Sequence, residues 1–195
     1  MPRPKKYADK QTLEKAMLLF WKKGYTNTSV KDLESTLNLT ASSIYHTYGN
    51  KEKLFVKAVE HYIDIVVNQR INQHLKQDDL PIKNIQNFFL SLIDDSEVVK
   101  AKFGCLLTNT ATELGDSTPE ISKKIQEGME RIKDAFRVEL EKAHKNNQLI
   151  SQRKPNELAT MLFLGYQGLL VMLRLNYSTK ELRQAALSTL EALDK

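Results

Sequence analysis

Residues 28–55 read TSVKDLESTLNLTASSIYHTYGNKEKLF, and the fold is decided in this stretch. Thr28 or Ser29 is placed to cap a short helix; with Ser29 as the cap, Asp32 falls at its third position, a shorter-armed capping box. Val30, Leu33 and Leu37 make its inward face. Asn38 follows, a residue that tolerates the left-handed conformation of a tight turn. Thr40 then caps a second short helix ending near Thr47, with Leu39 and Ile44 inward and Ala41, Ser42, Ser43 and His46 outward. Tyr48-Gly49-Asn50 breaks the chain again, and Asn50 caps a longer helix that begins at Lys51. Two short helices joined across a tight turn form a helix-turn-helix. Small, hydrogen-bonding side chains at the start of the second helix allow close approach to base edges in a major groove. The first-turn amides of that helix and of the helix from Lys51 are candidate phosphate donors.

Upstream, Leu13, Ala16, Met17, Phe20 and Trp21 fall on one face of a helix over 9–23, which Gly24 ends. Downstream, the helix from Lys51 runs to about Gln77, where Asp78, Asp79 and Pro81 interrupt it. Further helices are expected near 81–94, 103–114, 118–146, 155–176 and 178–194, with Pro119 and Pro155 at first-turn positions. No strand-like alternation appears. The expected fold is all-α: a three-helix helix-turn-helix head over 1–50 and a helical body for effector binding and dimerisation over 51–195. Because the division falls on a helix, head and body are mechanically connected.

Charge separates the two parts. Residues 1–53 hold 10 Lys/Arg and 5 Asp/Glu, so they carry the whole net charge of +5 and leave the rest neutral. A basic head on a neutral body points to a polyanion for the head alone, although a solvated lysine-rich terminus has the same composition. One cysteine, Cys105, excludes an internal disulfide framework and a multi-cysteine zinc site. The absence of a run of about 18 apolar residues predicts no membrane span, and the start MPRPKKYADK lacks the apolar segment of a signal peptide. A cytoplasmic protein is expected, with no cofactor. There is no glycine-rich phosphate loop, no His-Glu-x-x-His and no nucleophile elbow, and His46, His61, His74 and His144 lack metal-ligand spacing. Enzymatic activity is not expected.

Gly24, Thr28-Ser29-Val30, Asp32-Leu33, Leu39-Thr40, Ile44-Tyr45, Tyr48 and Lys51-Glu52-Lys53-Leu54-Phe55 together resemble the TetR family of transcriptional regulators across residues 10–55. The turn departs from the family's usual Ala-Gly-Val-Ser, reading Leu37-Asn38-Leu39-Thr40, and Ser42 stands where glycine is common. The resemblance implies that Thr28 and Thr40 contact phosphates while capping. It places Ser42, Ser43 and His46 at bases, Tyr45 and Tyr48 against the DNA backbone and Lys51 at a phosphate. Each residue also has a plainer role open to it: core rings for the tyrosines, caps alone for the threonines. Arg3, Lys5 and Lys6 are either a minor-groove arm or an unstructured basic tail.

The resemblance further implies a homodimer on a palindromic double-stranded operator, formed by the last two helices of each subunit. Leu158, Met161, Leu162, Gly165, Leu169 and Met172 on the first, and Leu182, Ala186 and Leu190 on the second, are the candidate interface; the alternative is an internal core. Gly165 and Gly168 would admit a close helix. Gly104-Cys105-Leu106 is similar to a segment of a branch in which some members sense electrophiles through the cysteine. A helix N-terminus with Lys100 and Lys102 nearby favours thiolate, while a buried cysteine is simply a small hydrophobe. The other sensor candidate is a small-molecule pocket walled by Tyr62, Phe88, Phe89, Phe103, Asn109, Met129 and Tyr166, residues an ordinary core also needs. A repressor released by such an effector is the expected function. A DNA-binding protein with no effector, or an activator, would share the same head.

Overall fold

The computed structural model describes residues 5–77, 80–94 and 103–194. Arg3, Asp78, Asp79, Lys100 and Lys102 lie outside them. All the regular structure described is helical. The helices are α1 (Lys5–Lys23), α2 (Val30–Leu37), α3 (Ala41–Tyr48), α4 (Lys51–Tyr62), α5 (Asn68–His74), α6 (Pro81–Asp94), α7 (Leu106–Leu114), α8 (Pro119–Lys145), α9 (Pro155–Arg174) and α10 (Thr179–Leu190). A short 3-10 turn, Glu191–Leu193, follows the last of them.

The helix from Lys51 does not run unbroken: Ile63–Val67 form a π-helical turn between α4 and α5. Four of those five residues are β-branched. Their stiff side chains crowd the preceding turn of a regular α-helix, and a wider turn relieves that crowding. Two compact units meet in sequence inside this turn. One comprises residues 1–65 with 106–127, the other 66–105 with 128–195.

In the first unit α1 packs on α2 and α4, α2 on α3, α3 on α4, and α4 on α7. Its core holds Phe20, Trp21, Leu33, Ile44, Leu54, Phe55 and Tyr62. Phe20 meets Phe55 edge to face with centroids 4.8 Å apart, and Trp21 meets Tyr62 in the same way at 4.9 Å, arrangements that suit the ring quadrupoles.

In the second unit α6 packs on α5 and α10, and α9 on α10. Phe88, Phe89, Phe136 and Tyr166 form a ring cluster, with Phe88 5.1 Å from Phe136 and 5.0 Å from Tyr166. The buried Arg70 donates to the Phe88 carbonyl at 2.8 Å and to Ser91 Oγ at 3.0 Å. Buried Glu139 accepts from Asn84 Nδ2 at 2.9 Å and from Lys142 Nζ at 2.6 Å. A carboxylate is tolerated in this apolar setting because both its oxygens are partnered. Half-buried His74 lies edge-on to Phe88 at 6.3 Å.

By length and composition α9 is apolar enough to cross a membrane, a test that a core helix also passes, and 39% of its apolar window is buried within the protein. Its hydropathy comes from two faces. Leu158, Leu162, Tyr166, Leu169 and Leu173 are buried, while Met161, Leu164, Val171 and Leu175 are exposed.

Candidate nucleic-acid interface and dimer face

Local rules build the head. Gly24 ends α1 with φ +83°, its amide donating to the Phe20 carbonyl at 2.8 Å. Ser29 is the cap of α2, with the reciprocal capping box to Asp32 complete. Hydrogen bonds from Lys23 and then Ser29 hold the Asp32 carboxyl well below the usual carboxylate range. Asn38 takes the left-handed conformation at φ 54°. Thr40 caps α3 by accepting from the Ser43 amide at 3.2 Å, and Asn50 caps α4 by accepting from the Lys53 amide at 2.8 Å.

Two expected residues take different places. Thr28 is fully buried (0% exposed), and its hydroxyl donates to the Gly24 carbonyl at 2.6 Å. The side chain is thereby spent on closing the α1–α2 turn and is withdrawn from any phosphate. Leu39, expected inward, is 37% exposed. The remaining residues lie on α3, at its cap and at the start of α4. Thr40, Ser42, Ser43 and His46 are exposed, and Tyr45 and Tyr48 are half-buried beside them on α3, whose inner side is held by buried Ile44. Lys51 is half-buried, its ammonium 4.5 Å from the centroid of the Tyr25 ring. Burial pushes that ammonium below its ordinary pKa, against the opposing pull of Glu113 and Asp32.

The amides at the start of α3 are largely engaged. The Ala41 amide donates to Glu34 Oε1 at 2.7 Å, and the Ser43 amide donates to Thr40. Neither Glu34 nor Glu113 was singled out by motif. Glu113, near the end of α7, accepts from the Tyr25 amide at 3.0 Å and the Thr26 amide at 2.6 Å. Pairs separated by 87 and 88 residues carry no local spacing signal.

The candidate sensor residues are divided between the two compact units. Cys105 is 3% exposed and precedes α7 rather than sitting within it, after Gly104 at φ 71°. The positive φ that glycine supplies turns the chain before Leu106, so the helix starts later than expected. Tyr62 and Asn109 belong to the first unit, and Phe88, Phe89, Phe103, Met129 and Tyr166 to the second. Phe88, Phe89 and Tyr166 pack against one another and Phe136. A cleft of about 560 Å³ lies between α5 and α8 of the second unit, lined in part by Asn68, Ile71, Leu75, Arg131, Val138 and Glu139; none of the expected pocket residues lines it.

Of the candidate dimer residues, Leu158, Leu162, Leu169, Leu182, Ala186 and Leu190 are buried inside the protomer. Gly165 serves the same internal packing: a Cβ there would collide with Thr189 of α10. Met172 is half-buried and Met161 is exposed. Leu187 of α10 is exposed, and the outward stripe of α9 and its cap is Met161, Leu164, Gly168, Val171 and Leu175. Its spacing alternates three and four residues, the seam of a helix that pairs with another helix. At Gly168 a Cβ would meet nothing, so the stripe is open where a second backbone can come close.

A family model described as bacterial regulatory proteins, tetR family, matches residues 13–58. A second, described as a tetracyclin repressor-like C-terminal domain, matches residues 81–189. The chain is 30% identical over 139 residues to the HTH-type transcriptional regulator YezE of Bacillus subtilis, covering 70% of each chain. It is 25% identical over 188 residues to the HTH-type transcriptional repressor ComR of Escherichia coli, covering 96% of this chain and 90% of that one. Its fold is similar to that of a cysteine mutant of the TetR-family regulator CifR solved with a 26-base-pair operator DNA, with TM-score 0.81, 21% identity, and coverage of 93% and 94%.

Proposed function

The chain belongs to the TetR family of DNA-binding transcriptional regulators, and from that membership we propose that it is a cytoplasmic homodimeric repressor, without enzymatic activity, released from a palindromic operator by a small molecule. The functional division is a DNA-binding head at 1–50 and an effector-binding and dimerising body at 51–195. The observation that carries the reading is α3: an eight-residue helix with Ser42, Ser43 and His46 exposed and Tyr45 and Tyr48 beside them, anchored from within by Ile44. Such a helix reads base edges with its first turn while flanking tyrosines and the start of α4 meet phosphates. The apolar stripe on α9 supports a two-fold dimer in water, which places two copies of α3 on successive major grooves. The repressor reading is supported by the name of ComR, which aligns along nearly the whole chain.

Fluorescence anisotropy on DNA from upstream of its own gene tests the head. Ser43→Ala and Tyr45→Ala should each weaken operator binding by about tenfold, the loss of one good base or phosphate contact, with helicity and dimerisation unchanged. Wild-type affinity in both variants would remove α3 from the interface.

Release runs through α7. This helix begins directly after Cys105, and its Glu113 holds the Tyr25 and Thr26 amides of the head. An effector that prefers a shifted α7 therefore alters the head's position in proportion to its preference. Burial of Cys105 favours a non-covalent effector, because reaction needs an accessible thiolate. A thiol-reactive electrophile, or Cys105→Ser, should leave operator affinity within about twofold of wild type, well inside the factor of ten that about 1.4 kcal/mol represents. Release by the electrophile in wild type but not in Cys105→Ser would transfer sensing to this cysteine.

A further inference from the structure

We propose that Glu34 is a positioning residue for operator readout, one that gives up backbone affinity at the start of α3 in favour of sequence discrimination. This rests on the reading of α3 as the recognition helix.

One residue holds both sides of the turn. The Glu34 carbonyl accepts from the Asn38 and Leu39 amides, the latter at 3.3 Å, while its side-chain Oε1 accepts from the Ala41 amide at 2.7 Å. The first pair closes the left-handed turn at Asn38; the second ties the first residue of α3 back to α2. The angle between the two helices, and with it the approach of Ser42 and Ser43, is therefore fixed by a half-buried side chain.

The choice of a carboxylate has an electrostatic consequence. The positive end of a helix attracts anions, and its first-turn amides are natural donors to a phosphate. Here an internal anion already occupies that end. Thr40 takes the Ser43 amide and the Thr40 carbonyl takes the Ile44 amide, leaving the Ser42 amide as the first-turn donor with no internal acceptor among the described residues. A DNA phosphate approaching this point meets a fixed negative charge in an otherwise basic head. The repulsion acts on every DNA sequence alike, since phosphates carry no sequence information. The tether acts on discrimination, because it aims the side chains that meet bases.

Two variants separate these roles. Glu34→Gln keeps an acceptor for the Ala41 amide and removes the charge. Operator and random DNA should then both bind about three- to tenfold more tightly at low salt, with the operator-to-random ratio within about twofold of wild type. Glu34→Ala removes charge and tether together. Binding to random DNA should still tighten, but the ratio should fall by about tenfold, the equivalent of one mismatched base pair. Paired anisotropy titrations on operator and scrambled duplexes, with circular dichroism to establish that each head is folded, give the readout. A ratio unchanged in Glu34→Ala would overturn the positioning role. Random-DNA affinity unchanged in Glu34→Gln would overturn the electrostatic one. A wild-type protein that does not distinguish operator from scrambled DNA would overturn the recognition-helix reading itself, and this inference with it.

Discussion

Replacing Leu164 and Val171 together by aspartate should yield a folded monomer whose affinity for a full operator is about 100- to 10,000-fold lower, the advantage that linking two binding heads confers. Leu164 is 63% exposed and Val171 47% exposed in the protomer, so neither contributes much to its own core. Covering side chains of this size on both partners stabilises a dimer by roughly 1 kcal/mol or more each. In a two-fold interface every substitution occurs twice, so four carboxylates would enter a patch that excludes water. Leu162→Asp makes the contrast: Leu162 is 0% exposed on the opposite side of the same helix, and a buried carboxylate there should unfold the protomer itself. Sedimentation equilibrium with circular dichroism distinguishes a folded monomer from an unfolded chain. A double variant that stays dimeric would move the interface off this stripe.

That stripe also shows how far sequence alone could reach. The apolar excess of α9 was visible, but its division between buried and exposed sides was not. The helix reads as apolar on more than one face, and only the packing of the chain separates the exposed Met161, Leu164, Gly168, Val171 and Leu175 from the core side. The glycines were similarly ambiguous. Gly165 accommodates Thr189 of its own chain, whereas Gly168 opens outward, a difference set by the rotation of α9 against α10 rather than by residue type.

The head was more legible because its rules are local. Gly24, Asn38, Thr40 and Asn50 each act within about one helical turn, and all four take the expected conformations or caps. At Thr28–Ser29 two adjacent residues were both competent to cap. Ser29 does so, and Thr28, one place earlier, turns its hydroxyl back to Gly24. The interrupted helix at Ile63–Val67 was signalled by its β-branched run and by nothing else. The partners of Glu34 and Glu113 were hidden for a different reason: a carboxylate on a helix surface is ordinary until the amide it meets has been brought to it by the fold.

Glu113 therefore supplies the second large expectation. Glu113→Ala should free the head's α1–α2 turn, so that the heads tolerate operators of the wrong length. Its carboxylate takes two backbone amides, Tyr25 and Thr26, at 3.0 and 2.6 Å. Hydrogen bonds to a charged acceptor contribute about 1.5–3 kcal/mol each when well shielded, and less at an exposed site such as this one. Two such bonds together, each at about half the lower end of that range, still make a coupling of about tenfold. The geometry around the pair is close: a Cβ on Gly24 would lie 2.8 Å from Glu113 Oε2, and the Lys51 ammonium stands over the Tyr25 ring. Loss of the carboxylate leaves two amides to water and removes one of the two attractions acting on Lys51, leaving that of Asp32. Hydrogen exchange at Tyr25 and Thr26 should accelerate by about tenfold or more, since local opening reports the free energy that held them. On DNA, the wild type should lose affinity steeply when one base pair is inserted between half-sites, because the two recognition helices must stay in register with the groove. The variant should lose about tenfold less, and its response to any effector acting through α7 should shrink by the same factor. Glu113→Gln, which keeps one acceptor oxygen, should fall between. If Glu113→Ala shows wild-type exchange at both amides and the same spacing penalty, α7 does not hold the head through this carboxylate.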